Sequence, residues 1–195
     1  MLEVIQDIKQ KLNKLFFMLF LKNSFYAFGK RSSFITPYRV DGAKYVSVGR
    51  KVHIAAYSWI LALKNDQHKP HIKIGDETRI ARFLHLVAVR KVEIGDNVLI
   101  AEKVYISDNL HSFEDVDTPI KKQPVNFLKE VVIGDNVWIG EGVSIIGASI
   151  GKRSVIGANS VVLSDIPDYC VAVGSPAKII KRYNHKTTKW EKVSE

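Results

Sequence analysis

An aliphatic residue recurs every six positions along most of this chain. The residue after it is Gly, Ala or Ser in eleven of fifteen cases. A period of six is even, so it agrees with the alternation of a β-strand and not with the 3.6-residue period of a helix. We therefore predict an all-β solenoid of about five triangular coils, each made of three six-residue faces. The aliphatic positions are Val48, Ile54, Ile60, Ile74, Ile80, Leu86, Ile94, Ile100, Ile106, Ile133, Ile139, Ile145, Ile150, Ile156 and Val162.

Interruptions of the repeat divide the chain. Extra residues occur at 66–73, near Val92 and at 112–132. A long loop inside so regular a solenoid is more often functional than accidental. The predicted domains are an N-terminal helix and lead-in over 1–40, a β-helix over 41–167 with the 112–132 insertion, and a C-terminal segment over 168–195. The last segment is predicted to hold a short helix and a basic tail.

The N-terminal residues predict an amphipathic helix, with apolar positions at 2, 5, 8, 12, 15, 16 and 19. Two roles fit it. It would cap the solenoid core, which such proteins need. Alternatively, its lysines Lys9, Lys11, Lys14 and Lys22 would hold it on an anionic membrane, which would suit a lipid-linked glycan acceptor. Capping is the favoured interpretation.

Composition and charge narrow the function classes. The chain has 195 residues and a formal net charge of +9. Residues 1–47 carry eight Lys or Arg against three Asp or Glu, residues 175–195 carry six against two, and the middle is neutral. Because the charge lies at the ends, duplex nucleic acid is a poor candidate partner. The longest apolar run, seven residues, is too short to span a membrane. A single cysteine excludes an internal disulfide.

Two stretches resemble a known family. They are IGANSVVLSDIPDYCVAVGSPAKIIKRY, residues 156–183, and NVLIAEKVYISDNLHSFED, residues 97–115. The first resembles the closing coil of the left-handed β-helix hexapeptide-repeat acyltransferases, and the second resembles the catalytic segment of their sugar O-acetyltransferases. Left-handedness rests on the resemblance alone, since parallel crossovers are usually right-handed. The resemblance implies a homotrimer with active sites between prisms, acetyl-CoA as co-substrate and a saccharide acceptor.

His111 is the predicted catalytic residue. Acyl transfer to a hydroxyl needs a base near neutral pH, and histidine is suited to that. Without the resemblance, a surface-loop histidine is the ordinary alternative. The predicted acceptor-binding residues are Asp108, Asn109, His85 and Trp138. One of the carboxylates near His111, which include Glu114 and Asp115, would orient the imidazole or bind sugar hydroxyls.

The alternatives for these residues are structural. The hexad register stacks His85 on Tyr105, and a satisfied structural histidine is an equal alternative. Trp138 would serve equally for packing between protomers. The surrounding carboxylates would equally be a solvated acidic loop.

The resemblance also implies a coenzyme A groove along the later coils. Its predicted residues are Gly140, Ala158, Ser160, Ser164 and Lys178, with Ser164 standing where relatives often carry a lysine. Cys170 is interpreted as a small apolar filler, since direct transfer needs no acyl carrier. No metal is predicted, because a zinc site needs several histidines and no second one neighbours His111.

The favoured function is an acetyl-CoA-dependent O-acetyltransferase that modifies a sugar hydroxyl of a surface polysaccharide or its precursor. Related alternatives are an N-acetyltransferase of an amino sugar and an antibiotic O-acetyltransferase. An alternative of another class is a trimeric β-helix without catalysis, a scaffold or a metal-binding relative. The expected location is the cytoplasm. If the N-terminal helix binds lipid, the protein would instead lie peripherally on the inner face of the membrane.

Overall fold

Three parallel sheets wrap one apolar core in the computed structural model, which describes residues 2–36, 38–65 and 69–193. The first face consists of Ala27–Phe28, Val46–Val48, His71–Ile74, Lys91–Ile94 and Val131–Ile133. The second consists of Ser33–Phe34, His53–Ile54, Arg79–Ile80, Leu99–Ile100, Trp138–Ile139, Val155–Ile156 and Cys170–Val173. The third consists of Arg39–Asp41, Trp59–Ala62, His85–Ala88, Tyr105–Ser107, Ser144–Ile146 and Val161–Val162.

The predicted six-residue register is confirmed. Ile94 pairs with Ile74 and Ile133 on the first face, and Ile100 pairs with Ile80 and Ile139 on the second. All fifteen aliphatic positions are at most 3% exposed. The core is therefore three columns of stacked aliphatic side chains, one behind each face, and each coil buries its core against its neighbours.

The solenoid contains a coil that the aliphatic pattern misses. Its core residues, Phe28, Phe34 and Val40, pair with Val48, Ile54 and Ile60 of the next coil. The spacing of six holds here, but two of the three positions are aromatic. The described residues thus form six complete coils beginning at Ala27, inside the segment predicted as a lead-in. Residues 66–68, part of the predicted 66–73 loop, lie outside the described residues.

The recurring Gly-Asp-Asn sequence builds the corner between the first and second faces. A Cβ on Gly95 would lie 2.9 Å from the backbone carbon of Gly134, so the coils approach too closely for a side chain there. The Asp135 carboxylate accepts the Asp96 N–H of the preceding coil at 2.8 Å. Asn136 has a φ of 59°, a left-handed conformation that asparagine tolerates better than most residues. Each residue type in the motif thus has a structural task.

The N-terminal end of the core is capped by aromatic rings. The helix Leu2–Phe16 continues into a π-helical turn, Phe17–Leu21, and a 3₁₀ turn, Lys22–Ser24. Phe17 is buried and its ring contacts Phe25, Phe28, Phe34 and Tyr38. The cap is therefore made by the end of the helical segment. No helix among the described residues is long and apolar enough to cross a membrane.

The predicted short C-terminal helix is wrong. Lys178–Asn184 forms an antiparallel strand on Cys170–Val173, and Lys189–Lys192 pairs with it in turn. The last coil leaves an open sheet edge, and pairing satisfies its backbone groups. Asn184 sets the turn, because its Oδ1 accepts the backbone N–H of Lys186 and of Thr187.

Candidate active site

His111 lies on a hairpin that leaves the end of the third face. The hairpin pairs Asn109–His111 with Val125–Phe127, and His111 stands opposite Val125. The Ser112 N–H donates to the Pro124 carbonyl at 2.9 Å. Asn126 donates to the Ser112 hydroxyl. The side chain of His111 is exposed and takes part in none of the hydrogen bonds or ion pairs found within the described ranges. The imidazole thus stands on an ordered element with its ring nitrogens open to a ligand.

Asp108 holds the base of this hairpin from inside the fold. Its side chain is fully buried. Oδ1 accepts the Val89 N–H at 2.9 Å and the Asn109 amide at 2.7 Å. Oδ2 accepts the N–H groups of Arg90 and Lys91 at 2.8 and 2.7 Å. The carboxylate therefore cannot bind an acceptor sugar, and the prediction from the sequence that it would do so is wrong. Its hydrogen bonds instead connect the short insertion near Val92 to Asn109, where the hairpin begins.

The long insertion, residues 112–132, is held in place by further side-chain contacts. The Arg90 guanidinium lies 5.1 Å from the Phe127 ring centroid and 3.4 Å from the Glu130 carboxylate. Gln123 donates to the carbonyls of Asp115 and Thr118, both at 2.7 Å. The hairpin is therefore anchored to the preceding coil and within its own loop.

The two other acidic candidates serve the loop backbone. Glu114 accepts the Phe113 N–H at 3.0 Å. Asp115 accepts the N–H groups of Asp117 and Thr118. Hydrogen bonds from Thr118 and the backbone hold the pKa of the Asp115 carboxyl below its usual value. Neither carboxylate contacts His111 in the structure's described residues, so the predicted orienting partner is not found in them.

His85 belongs to an aromatic column on the third face. It stacks on Trp59, with ring centroids 4.6 Å apart and planes 5° from parallel, and it pairs with Tyr105 as predicted. Its Nε2 is buried and has no hydrogen-bond partner within the described chain. Burial lowers the pKa of the imidazole, so the neutral form is favoured. The Arg39 guanidinium covers the far side of Trp59 at 5.0 Å.

Trp138 lies on a different face from His85. It occupies an outward position of the second face, between Leu99 and Val155, and it is 52% exposed. Within one chain these two predicted acceptor residues are not brought together. Asn109, the fourth, is buried beside Asp108 and donates to it.

The predicted coenzyme residues gather mostly at the corner between the second and third faces. A Cβ on Gly140 would lie 2.6 Å from the Ala158 nitrogen. Ser160 is buried, and its hydroxyl accepts the Gly174 N–H at 3.0 Å. Lys178 is exposed and pairs with Val173, directly before Gly174. Ser164 stands apart, exposed at the other end of the third face.

The interpretation of Cys170 as a filler agrees with its surroundings. The side chain is fully buried, and its burial raises the pKa of the thiol. A buried thiol with a raised pKa is a poor nucleophile. The described residues contain no group of three or more His, Cys, Asp or Glu side chains that could hold a metal ion.

A comparison of the sequence with known families identifies the type of repeat that forms the solenoid. The profile of the family described as "Bacterial transferase hexapeptide (six repeats)" matches residues 130–164. These residues form two successive coils of the regular register described above. The chain therefore contains repeats of the hexapeptide type. This repeat, together with the parallel sheets and similar solved structures, implies that its β-helix is left-handed.

Relatives of this hexapeptide-repeat protein bear acetyltransferase names. It is 43% identical over 128 residues, or 62% of its length, to a putative lipopolysaccharide biosynthesis O-acetyltransferase of Escherichia coli K12. It is 44% identical over 96 residues, or 49% of its length, to the galactoside O-acetyltransferase of the same organism. The chain spans 65% of the first relative and 46% of the second.

Solved structures share the fold. A hexapeptide-repeat acetyltransferase of Vibrio cholerae matches with a TM-score of 0.61 at 29% identity, over 84% of this chain and 77% of that one. The same protein has also been solved in complex with acetyl coenzyme A.

Two features of the site were not predicted from the sequence, the stacking of Trp59 on His85 and the hydrogen bonds of Asp108. Trp59 stands one coil before His85 in the same column, so the hexad register already placed the two rings together. The clamp by Asp108 had no such signal, because its donors are backbone N–H groups of residues 89–91. Backbone donors leave no pattern of residue types.

Proposed function

We propose that this hexapeptide-repeat protein is an acetyl-CoA-dependent O-acetyltransferase that modifies a sugar hydroxyl of a surface polysaccharide or its precursor. The observation that carries the proposal is His111. It is an open imidazole on an anchored hairpin, at the position that resembles the catalytic segment of sugar O-acetyltransferases. The names of two relatives, a putative O-acetyltransferase of lipopolysaccharide biosynthesis and a galactoside O-acetyltransferase, support a saccharide acceptor.

The proposed reaction is direct transfer with His111 as general base. The imidazole accepts the proton of the acceptor hydroxyl, and the oxygen attacks the thioester carbonyl. The carbon–sulfur bond then breaks, and the proton passes to the leaving sulfur to give the free thiol of coenzyme A. Backbone N–H groups would stabilise the oxyanion. Asp108 would act only as a positioning residue, because its carboxylate is fully engaged inside the fold.

The donor would bind along the corner between the second and third faces. Gly140 and Ala158 keep this corner free of large side chains, and Lys178 adds a positive charge at its end. Lysine is suited to phosphate groups as a point charge. Ser160 would contribute through the backbone that it fixes rather than by its hydroxyl, which already accepts the Gly174 N–H.

The proposed assembly is a homotrimer with the site between prisms. A single chain leaves His111 open and places Trp138 and His85 on separate faces, so a neighbouring prism would complete the pocket. Light scattering should then give three times the chain mass of 22.0 kDa.

The test measures release of free coenzyme A thiol from acetyl-CoA with a panel of hydroxyl and amino sugars. Wild type, His111→Ala and His71→Ala would be compared, because His71 is also partly exposed but lies on the first face. We expect sugar-dependent release that falls about 10²-fold or more only in His111→Ala.

The same samples would be titrated with coenzyme A. Release that depends on amino sugars alone would move the acceptor from hydroxyl to amine. Equal release by wild type and His111→Ala would refute the role of His111. No binding of coenzyme A at all would favour the scaffold alternative.

A further inference from the structure

The N-terminal helix carries a continuous apolar stripe that the fold does not cover. Eight large side chains along it are each 52–65% exposed. They recur at intervals of three and four, so they share one side of the helix. Exposed apolar patches of this extent mark interaction sites in soluble proteins. The members of the stripe are Val4, Ile5, Ile8, Leu12, Leu15, Phe16, Leu19 and Phe20.

The opposite side of the helix is the one that contacts the solenoid. Asn13 donates to the Thr36 hydroxyl at 2.7 Å. One turn further on, Phe17 is buried among the capping rings. Capping therefore uses the polar side and the end of the helix, and it leaves the apolar stripe directed away from the protein.

Lysines border the stripe. At about 100° per residue, Lys9 lies at one edge of the apolar sector and Lys11 at the other. Both are exposed. Long lysine side chains at such edges extend their ammonium groups beyond an apolar surface. Residues 1–47 as a whole carry eight Lys or Arg against three Asp or Glu. An apolar side flanked by cations is the arrangement of a helix that lies in a membrane interface.

We propose that this stripe binds the surface of an anionic lipid bilayer, with Lys9 and Lys11 at the level of the headgroups. A second copy of the chain is the competing occupant. Pairing two such stripes would bring like-charged lysine edges together, which is unfavourable. The proposal is independent of the proposed transferase activity, because it follows from the helix alone.

The test is co-sedimentation of the full chain with vesicles, and it has no turnover readout. Vesicles of phosphatidylcholine alone would be compared with vesicles that also contain phosphatidylglycerol, at low and moderate salt. Binding should require the anionic lipid and weaken with salt. Lys9→Ala/Lys11→Ala should bind about 25-fold more weakly, at roughly 5-fold per lysine.

The control carries the same charge change elsewhere. Lys186→Ala/Lys189→Ala removes two exposed lysines of the C-terminal hairpin and should change binding by less than about 2-fold. Ile8→Ser/Leu12→Ser should lose about 10-fold or more, because it removes apolar surface from the stripe. Circular dichroism and thermal unfolding would show that the solenoid of each variant is intact.

Three results would overturn the proposal. The first is no binding of wild type to either vesicle. The second is an equal loss in the two lysine variants, which would mean adsorption by net charge only. The third is an Ile8→Ser/Leu12→Ser variant whose oligomeric mass changes while it binds vesicles as well as wild type does, which would assign the stripe to a second copy.

Discussion

Asp108→Asn is the sharpest test of how the hairpin is held. The change keeps the size of the side chain and replaces one oxygen by an NH₂ group. In the wild type, two donors converge on each carboxylate oxygen. In either orientation of the amide, two of the four donors therefore lose their acceptor. The site is fully buried, so water cannot replace it.

The magnitude follows from the cost of leaving a buried donor unpaired, about 1–3 kcal/mol each. Two donors give a loss of about 2–6 kcal/mol in the free energy of unfolding, or roughly 4–24 °C in melting temperature for a chain of this size. The proposed activity should fall as well, because the strand that carries His111 begins at Asn109. The fall should be in kcat more than in the affinity for coenzyme A, since the donor corner lies elsewhere.

The assay is thermal unfolding with kinetics on the same samples. Asp135→Asn is the matched control, because Asp135 also accepts a backbone N–H, but it is exposed and can recruit water. We expect the control to lose less than about 1 kcal/mol. An Asp108→Asn protein that melts with the wild type would refute the reasoning, since it would show that the buried carboxylate is not needed by its four donors.

Further predictions concern His85, Gly140 and Lys178. Burial lowers the pKa of His85, so the unfolded chain binds more protons as the pH falls. The free energy of unfolding should therefore be highest above about pH 6.5 and should decrease as the pH falls below that value. His85→Phe keeps a ring in the stack and should reduce this decrease, as measured from melting curves at pH 7.5 and 5.5. A steeper decline in the variant would contradict it. Gly140→Ala would place a Cβ 2.6 Å from the Ala158 nitrogen, and it should cost about 1–3 kcal/mol in urea unfolding without any ligand; an unchanged midpoint would count against it. Lys178→Ala should raise the KM for acetyl-CoA by about 5-fold and leave kcat unchanged, whereas Lys189→Ala should change neither. Equal effects of the two would indicate only a loss of net charge.

The core of the fold could be predicted because it repeats. An inward side chain every six residues is a consequence of strand alternation, and the stacked pairs Ile74 with Ile94 and Ile100 with Ile139 follow from it. The same periodicity placed the long insertion at the end of the third face. Prediction failed where the repeat used other residues, as with Phe28 and Phe34 in the first coil.

The C-terminal segment was mispredicted for a different reason. Its alternating positions fit a strand, but the deciding factor is the unpaired edge left by the last coil. That edge is a property of the assembled fold. The turn at Asn184 was the available local signal.

Parts of the candidate site could be read from the sequence and parts could not. The stacking of His85 on Tyr105 followed from the register. The burial of Asp108 did not, because an acidic residue beside a histidine suggests a solvent-facing partner. Its burial depends on the backbone of residues 89–91, which the preceding coil brings into place.

The most direct test of the central claim compares His111→Asn with wild type at saturating acetyl-CoA and the acceptor identified from the sugar panel. Asparagine keeps a polar side chain on the hairpin but cannot act as a base near neutral pH. The account predicts that kcat falls about 10²-fold or more while the affinity for coenzyme A is unchanged. A variant that retains kcat to within a few-fold would contradict general-base catalysis by His111.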